Sequence, residues 1–355
     1  MKRRAYGLLV GVALVMGLLA VVASLSLDEP LRDPDGFLGP SWLRLPLMIG
    51  GAFLVDVVPR SLWRSRGSLK TFGLHARGII HEHWTRERVA LVAIGLASFF
   101  VTYVSYRNLK NYLPRLAGEL QDPLLHRIDQ ILAFGHEPAV LLHTALGEGV
   151  AAHVLAFVYL LFLPMTPASV IVWLVWSRNI SYGYWFVTAH CLTWALGTAS
   201  YYLVPSLGPN FAYVWLYADL DQTGVSTLQH SLNYGRQESI WNPLTADSVQ
   251  SVAGFASLHV GIILTLALIT QYTVRHAWIR WSLWVFFVLT VISTLYFGWH
   301  YIADDIAGAL IAVVSVWLGG LATGQKFERW GRSARPTTST ADVPVETAER
   351  VDAGR

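Results

Sequence analysis

Two histidine motifs dominate the chemistry open to this chain: Ser257-Leu258-His259, and Ser293-Thr294 followed five residues later by His300-Tyr301-Ile302-Ala303-Asp304. Each lies where a polar loop meets a long apolar run. His300 and Asp304 stand four residues apart, so a helix opening here puts both on one face, where a carboxylate can hold an imidazole. That is the layout of a nucleophile or base with its orienter. Imidazole titrates near neutrality, at about 6.5, so one histidine can attack phosphorus while the other protonates a leaving oxygen. Helices starting at Ser257 and near His300 would present unpaired N–H groups and a positive dipole end to a phosphate between them. Asp304 would fix the tautomer of His300; Asp305 falls about 100° further round and is the weaker candidate. Taken singly these residues also have plain structural readings, Ser257 as a helix cap and Asp304 as a first-turn acid. It is both motifs together, in order and at one face, that point to phosphoryl transfer.

The elements that must position them are membrane helices. Apolar residues make up 54% of the 355-residue chain and charged residues 14%, with a mean hydropathy of +0.44, a composition solvated by lipid rather than water. Apolar runs of membrane length lie near 6–27, 42–58, 89–106, 150–177, 184–204, 256–273, 280–299 and 302–322. The 42–58 run is short and contains Asp56, and the 150–177 run carries Pro164 and Pro167, where a kink or break is expected. Lys2, Arg3 and Arg4 precede a first run too long for a typical signal core, which reads as an uncleaved anchor. Arg60, Arg64, Arg66, Lys70, Arg77, Arg86 and Arg88 in the 59–88 loop, Arg275 and Arg280, and the tail with Lys326, Arg329, Arg332 and Arg335 fall on the side of the amino terminus. Asp28, Glu29, Asp33, Asp35, Asp219, Asp221, Glu238 and Asp247 fall opposite. Cytoplasmic loops collect Lys and Arg, so both termini are expected inside, and His259 and His300 share the outer face of a plasma-membrane protein.

The motifs resemble those of the type 2 phosphatidic acid phosphatase (PAP2) superfamily, which has a six-helix core and the patterns Lys-x6-Arg-Pro, Pro-Ser-Gly-His and Ser-Arg-x5-His-x3-Asp. Here the third reads Ser293-Thr294-x5-His300-x3-Asp304 and the second Ala256-Ser257-Leu258-His259, while the first falls in register on Tyr201, Gly208 and Pro209. The resemblance covers about 89–322. It implies a PAP2-like six-helix core at 89–322; with the hydropathy and composition this gives an all-α integral membrane protein with two additional transmembrane helices at 1–88 and a cytoplasmic, largely disordered tail at 323–355. It also implies that His300 forms a phosphohistidine, Asp304 orients it and His259 protonates the departing lipid oxygen, with Ser257, Ser293, Thr294, Tyr201 and Pro209 around the substrate and no metal or other cofactor. Three cradle cations are replaced, by Tyr201, Gly208 and Thr294. The departures make the chain look like the branch containing inositol phosphorylceramide synthases, which moves a phosphoinositol headgroup between lipids. A phosphodiester carries one charge where a monoester carries nearly two, and suits a cation-poor site. A phosphatase of the same fold, acting on phosphatidate or a polyprenyl (pyro)phosphate, is the alternative, and a transporter or scaffold that lost the chemistry is the third reading.

The implied partners are a phospholipid, an alcohol acceptor and the bilayer, with no nucleic acid. Arg236 is the one Arg or Lys in the long 205–255 outer loop, a candidate to neutralise phosphate, and that loop's Phe211, Tyr213, Trp215, Tyr217, Tyr234 and Trp241 suit either a lid or an aromatic belt. Leu124, Leu125, Ile128, Ile131 and Leu132 mark an interfacial helix within 107–149. His81-Glu82-His83 reads as solvated surface and His190 as bundle packing; the single Cys191 excludes an intramolecular disulfide.

Overall fold

A computed structural model describes residues 5–34, 41–177, 179–244 and 251–325. Lys2, Arg3, Arg4, Asp35, Asp247 and the expected disordered tail from Lys326 on, with Arg329, Arg332 and Arg335, lie outside the described residues, while the tail's first residues, 323–325, are packed on the bundle, Gln325 donating to the Ser181 hydroxyl at 2.6 Å. Among those described, every regular element is helical: α1 (Gly7–Leu27), α2 (Ser41–Arg64), α3 (Leu69–His83), α4 (Arg86–Leu116), α5 (Asp122–Leu132), α6 (Pro138–Leu146), α7 (Val150–Ile171), α8 (Ile180–Leu203), α9 (Pro209–Ala212), α10 (Gly224–Trp241), α11 (Leu258–Thr273), α12 (Ala277–Tyr296) and α13 (Ile302–Ala322).

Five of them are long and apolar enough to cross a membrane: α1, α4, α7 with its continuation to Trp176, α12 and α13. The other three expected runs coincide with α2, α8 and the shorter α11. Helix α8 is less apolar because it is the axis of the bundle, packed against α4, α11, α13 and α1. Its Thr188, His190 and Thr193 are buried among protein, and Thr193 shares a 3.0 Å hydrogen bond with Thr265 of α11, so polar groups there never meet lipid. The outer helices do the reverse, turning Leu14, Leu18 and Leu25 of α1 and Trp278, Trp281 and Val285 of α12 outward. Apolar faces of this extent are satisfied by hydrocarbon, not water.

Several local readings change. The basic 59–88 segment is a helical hairpin rather than a loop, since α2 runs on to Arg64 and α3 follows. Asp56 is tolerated there because it is buried against Arg60, 2.8 Å away, and accepts from Trp84 Nε1 at 2.9 Å. Helix α4 continues ten residues past the expected end at 106, to Leu116. Helix α7 passes through Pro164 and Pro167 without breaking and changes only at Val172–Trp176, a π-helical turn. The 205–255 loop contains α10, whose polar sequence has no apolar period to betray it. The amino-terminal part packs on the core: α1 lies against α4 and α8, and Glu29 pairs with Arg115 at 2.7 Å.

Glycines bring α11 and α13 together where the two motifs begin. A Cβ on Gly308 would lie 2.2 Å from the Ser257 carbonyl oxygen, and one on Gly261 would lie 3.1 Å from that of Gly308. Backbone cannot yield as a side-chain tip can. Gly308→Ala is therefore expected to cost about 1–3 kcal/mol of stability by overpacking. It should also lower activity by about a hundredfold, since a 1 Å misplacement suffices for that. Thermal unfolding and initial rates check both, with Gly11→Ala, which meets nothing within 4 Å, expected to change neither.

Candidate active site

Ser257 caps α11, its hydroxyl accepting from Val260 N at 3.4 Å. Its own N–H donates to the Asp304 carbonyl at 3.0 Å, so the start of one motif helix is hydrogen-bonded to the start of the other. In consequence the rings of His259 and His300 come together, centroids 6.3 Å apart and tilted by 52°, close enough for both to contact one phosphoryl group.

Aromatic rings hold His259. It stacks on Tyr159 at 4.3 Å and 19° and leans on Phe162 at 4.1 Å. Tyr159 in turn stacks on Trp299 at 5.2 Å and 4°, so α7 inserts one ring between the two motifs. Packing by faces fixes the imidazole plane while both ring nitrogens remain free of protein hydrogen bonds among the described residues.

His300 lies in the loop between α12 and α13, 6% exposed, with Nδ1 3.5 Å from Asp304 Oδ2. That separation is an electrostatic contact rather than a formed hydrogen bond; such contacts often tighten once substrate is bound. Burial pushes the His300 imidazole down to about 4, against the opposing pull of Asp305, so it is neutral at pH 7 with a lone pair to offer. Asp304 Oδ2 also accepts from Tyr301 N at 3.0 Å, which fixes the carboxylate.

The remaining expected site residues are placed unequally. Thr294 donates to Asp305 at 2.8 Å, and the Ser257 hydroxyl reaches the same carboxylate; these side chains converge on Asp305 behind the histidines. Ser293 is fully buried and donates to the Leu155 carbonyl at 3.0 Å, joining α12 to α7. Tyr201 is buried beside Tyr106, centroids 6.3 Å apart. Pro209 opens α9. Arg236 lies half-buried on α10, its Nε buried without a partner.

Gly208 shows why no arginine stands there. Its φ is +95° and an added Cβ would lie 2.4 Å from the Trp299 carbonyl oxygen, while Asn210 N donates to the Gly298 carbonyl at 2.7 Å. The 207–210 loop clasps the loop carrying His300 by backbone, at a distance only glycine permits.

Three residues that pack around this site carry no motif in the sequence. Asp122 on α5 accepts from Leu207 N and Gly208 N at 3.0 and 2.9 Å and from the Tyr301 hydroxyl at 3.0 Å, tying the clasp to the second motif loop. Asp129, one heptad on, accepts from Ile302 N at 2.8 Å, capping α13. The signal was present: two acids seven residues apart on an otherwise amphipathic interfacial helix point to one face. Lys110, near the end of α4, lies 5.9 Å from the centroids of both Tyr106 and Tyr201, on a part of α4 that extends beyond its apolar run.

Burial lifts the Asp129 carboxyl to about 7, despite the Ile302 N–H. The folded protein thus keeps a proton that the unfolded chain, near 3.9, releases. This stabilisation is complete below about 4 and is lost as pH rises through 7. Asp129→Asn keeps the acceptor and removes the titration, so it should unfold a few degrees above wild type at pH 8, with the gain shrinking toward pH 5 in a thermal-shift series.

With the geometry in place, comparison gives the class. A family model described as the PAP2 superfamily matches residues 123–318, more than half of the chain, and the chain belongs to that superfamily. Its members are phosphatases or phosphotransferases, and the matched region contains both histidine motifs and the clasp between them. No curated protein and no solved structure gives a significant match.

Proposed function

We propose that the chain is a membrane phosphotransferase moving a phosphoryl-linked headgroup, phosphoinositol-like, from a lipid donor to a lipid or glycolipid alcohol. The observation that carries this is the pair of adjacent imidazoles, 6.3 Å apart, one beside a buried carboxylate. In the first half-reaction His300 attacks phosphorus, through Nε2 because Nδ1 faces Asp304, and a P–N bond forms as the P–O bond to the donor breaks. His259 gives its proton to the departing lipid oxygen. In the second, the acceptor hydroxyl loses its proton to His259, its oxygen attacks phosphorus, and the P–N bond breaks to regenerate His300. Asp304 holds the ring and stabilises its charge while phosphorus is attached.

A cation-poor site supports a diester donor. Lys110 approaches from α4 where Tyr201 occupies the family's lysine position, and Arg236 approaches from α10; one or two cations match a single charge better than two. In this reading eight spans cross the plasma membrane, two ahead of the six-helix core. The site faces outward and the termini lie inside, a reading supported by the positive-inside pattern of Lys and Arg in the 59–88 segment and the 275–280 turn. The likeness to the inositol phosphorylceramide synthase branch belongs to the same proposal.

A crevice of about 10 Å³ beside His300, lined by Asp129, Tyr217 and Tyr301, favours a second reading, hydrolysis, because it has room for about one water. Headgroup-labelled phosphatidylinositol with candidate acceptors separates the two. Label on a new lipid supports transfer, soluble inositol phosphate supports hydrolysis, and label remaining on the donor across a broad lipid panel overturns both.

A further inference from the structure

A cavity of about 430 Å³ lies against α10 and shares Tyr217 as lining with the crevice at His300. Its floor includes Phe297, three residues before His300. Its polar wall is one face of α10: Ser226, Gln229, Asn233, Arg236 and Gln237 recur at helical spacing and all line it, with Asn210 opposite. Gln229 is buried and donates to the Phe297 carbonyl at 2.9 Å, so the wall is fastened to the loop that carries the nucleophile. Among the lining residues there is no carboxylate, and Arg236 is the one fixed cation.

Each alternative ligand fits this lining poorly. An acyl chain would leave the carboxamides unpaired. Phe211, Tyr217 and Phe297 line the cavity as well, but a quaternary ammonium headgroup would meet the like charge of Arg236 with no carboxylate in the lining to balance it, and a phosphate monoester calls for more than one cation. Carboxamides and a hydroxyl both donate and accept, as do the hydroxyls of a polyol. The single arginine matches one phosphodiester charge, and its Nε is buried without a partner. The nearby carboxylate of Asp122 is already occupied by Leu207 N, Gly208 N and Tyr301. We infer that this cavity is the headgroup subsite, binding a polyhydroxylated ring carried on a phosphodiester, with Asn233 and Gln237 reading the hydroxyls and Arg236 the phosphate. The inference rests on the transfer reading for its role in the reaction, but binding is measurable without turnover.

The test uses the full chain in detergent, titrated calorimetrically with glycerophosphoinositol, glycerophosphocholine and methyl glucoside. Wild type and His300→Ala should both bind glycerophosphoinositol at least about tenfold more tightly than the other two, one lost hydrogen-bonded contact being worth about that. Asn233→Leu with Gln237→Leu, both solvent-exposed where they line the cavity and outside the catalytic machinery, should erase the preference while leaving the melting temperature unchanged. Arg236→Gln should weaken glycerophosphoinositol and leave methyl glucoside unaffected. Equal binding of the two glycerophosphodiesters, or a preference that survives the double variant, overturns the inference. Methyl glucoside bound as tightly as glycerophosphoinositol overturns the assignment of the phosphate to Arg236. If wild type discriminates as expected yet transfers no polyol headgroup, the transfer reading fails and the subsite stands. If transfer proceeds with an unchanged KM in the double variant, the subsite fails and the transfer reading stands.

Discussion

His300→Ala should reduce headgroup transfer by at least about a thousandfold and abolish acid-labile phosphoenzyme, because it removes the atom that bonds to phosphorus. The fold should survive. His300 sits in a loop whose backbone is held from elsewhere: Asn210 N on the Gly298 carbonyl, Gln229 on that of Phe297 and the Tyr301 hydroxyl on Asp122. Rapid quench into alkaline detergent, which preserves a P–N bond, with donor labelled at phosphorus reads the outcome. Wild-type label should appear on protein and be chased off by acceptor; the variant should show none, with an unchanged melting temperature. Full activity in purified His300→Ala would remove the nucleophile from the mechanism. Because burial holds His300 down to about 4, wild-type phosphoenzyme formation should not lose its nucleophile to protonation until pH approaches that value, well below the ordinary imidazole range.

His259→Gln should lower transfer by about 10²–10⁴-fold, the usual worth of general acid–base catalysis. The deficit should depend on the leaving group. A lipid alkoxide needs a proton in order to depart, whereas p-nitrophenolate does not. The variant should therefore approach the wild-type rate of phosphoenzyme formation with a p-nitrophenyl phosphodiester of inositol and remain slow with phosphatidylinositol. The second half-reaction would still need a base, so the activated donor should give a burst of p-nitrophenol followed by a slow steady state. Equal losses with both donors would show that the stacked ring on Tyr159 and Phe162 supports the site without transferring a proton.

The parts of the site written in local pattern were legible. His300 and Asp304 sit four apart, the Ser257 cap stands before an apolar run, and the matched region contains both. The parts made by long-range approach were not. Lys110 reaches Tyr201 only because α4 carries on ten residues past its apolar stretch, and hydropathy stops counting where polar residues resume. Asp122 and Asp129 matter because α5 folds under two distant loops, a relation that spacing on α5 alone cannot name. Helix α10 was invisible as a helix because its binding face and its solvent face are both polar. Conversely, Ser293 and Thr294 looked like substrate contacts by motif position, but their hydroxyls face Leu155 and Asp305 inside the bundle.

The backbone clasp at Gly208 also bears on how this chain could change. With φ at +95° and the Trp299 oxygen 2.4 Å from any Cβ, the arginine expected in related phosphatases cannot return by a single substitution. The loop would first have to let go of its neighbour, and every intermediate along that route would have a slack His300 before it had a new cation. An arginine at 208 is therefore out of reach of a single step, and charge near the site can be tuned only from the sides, through α4 and α10.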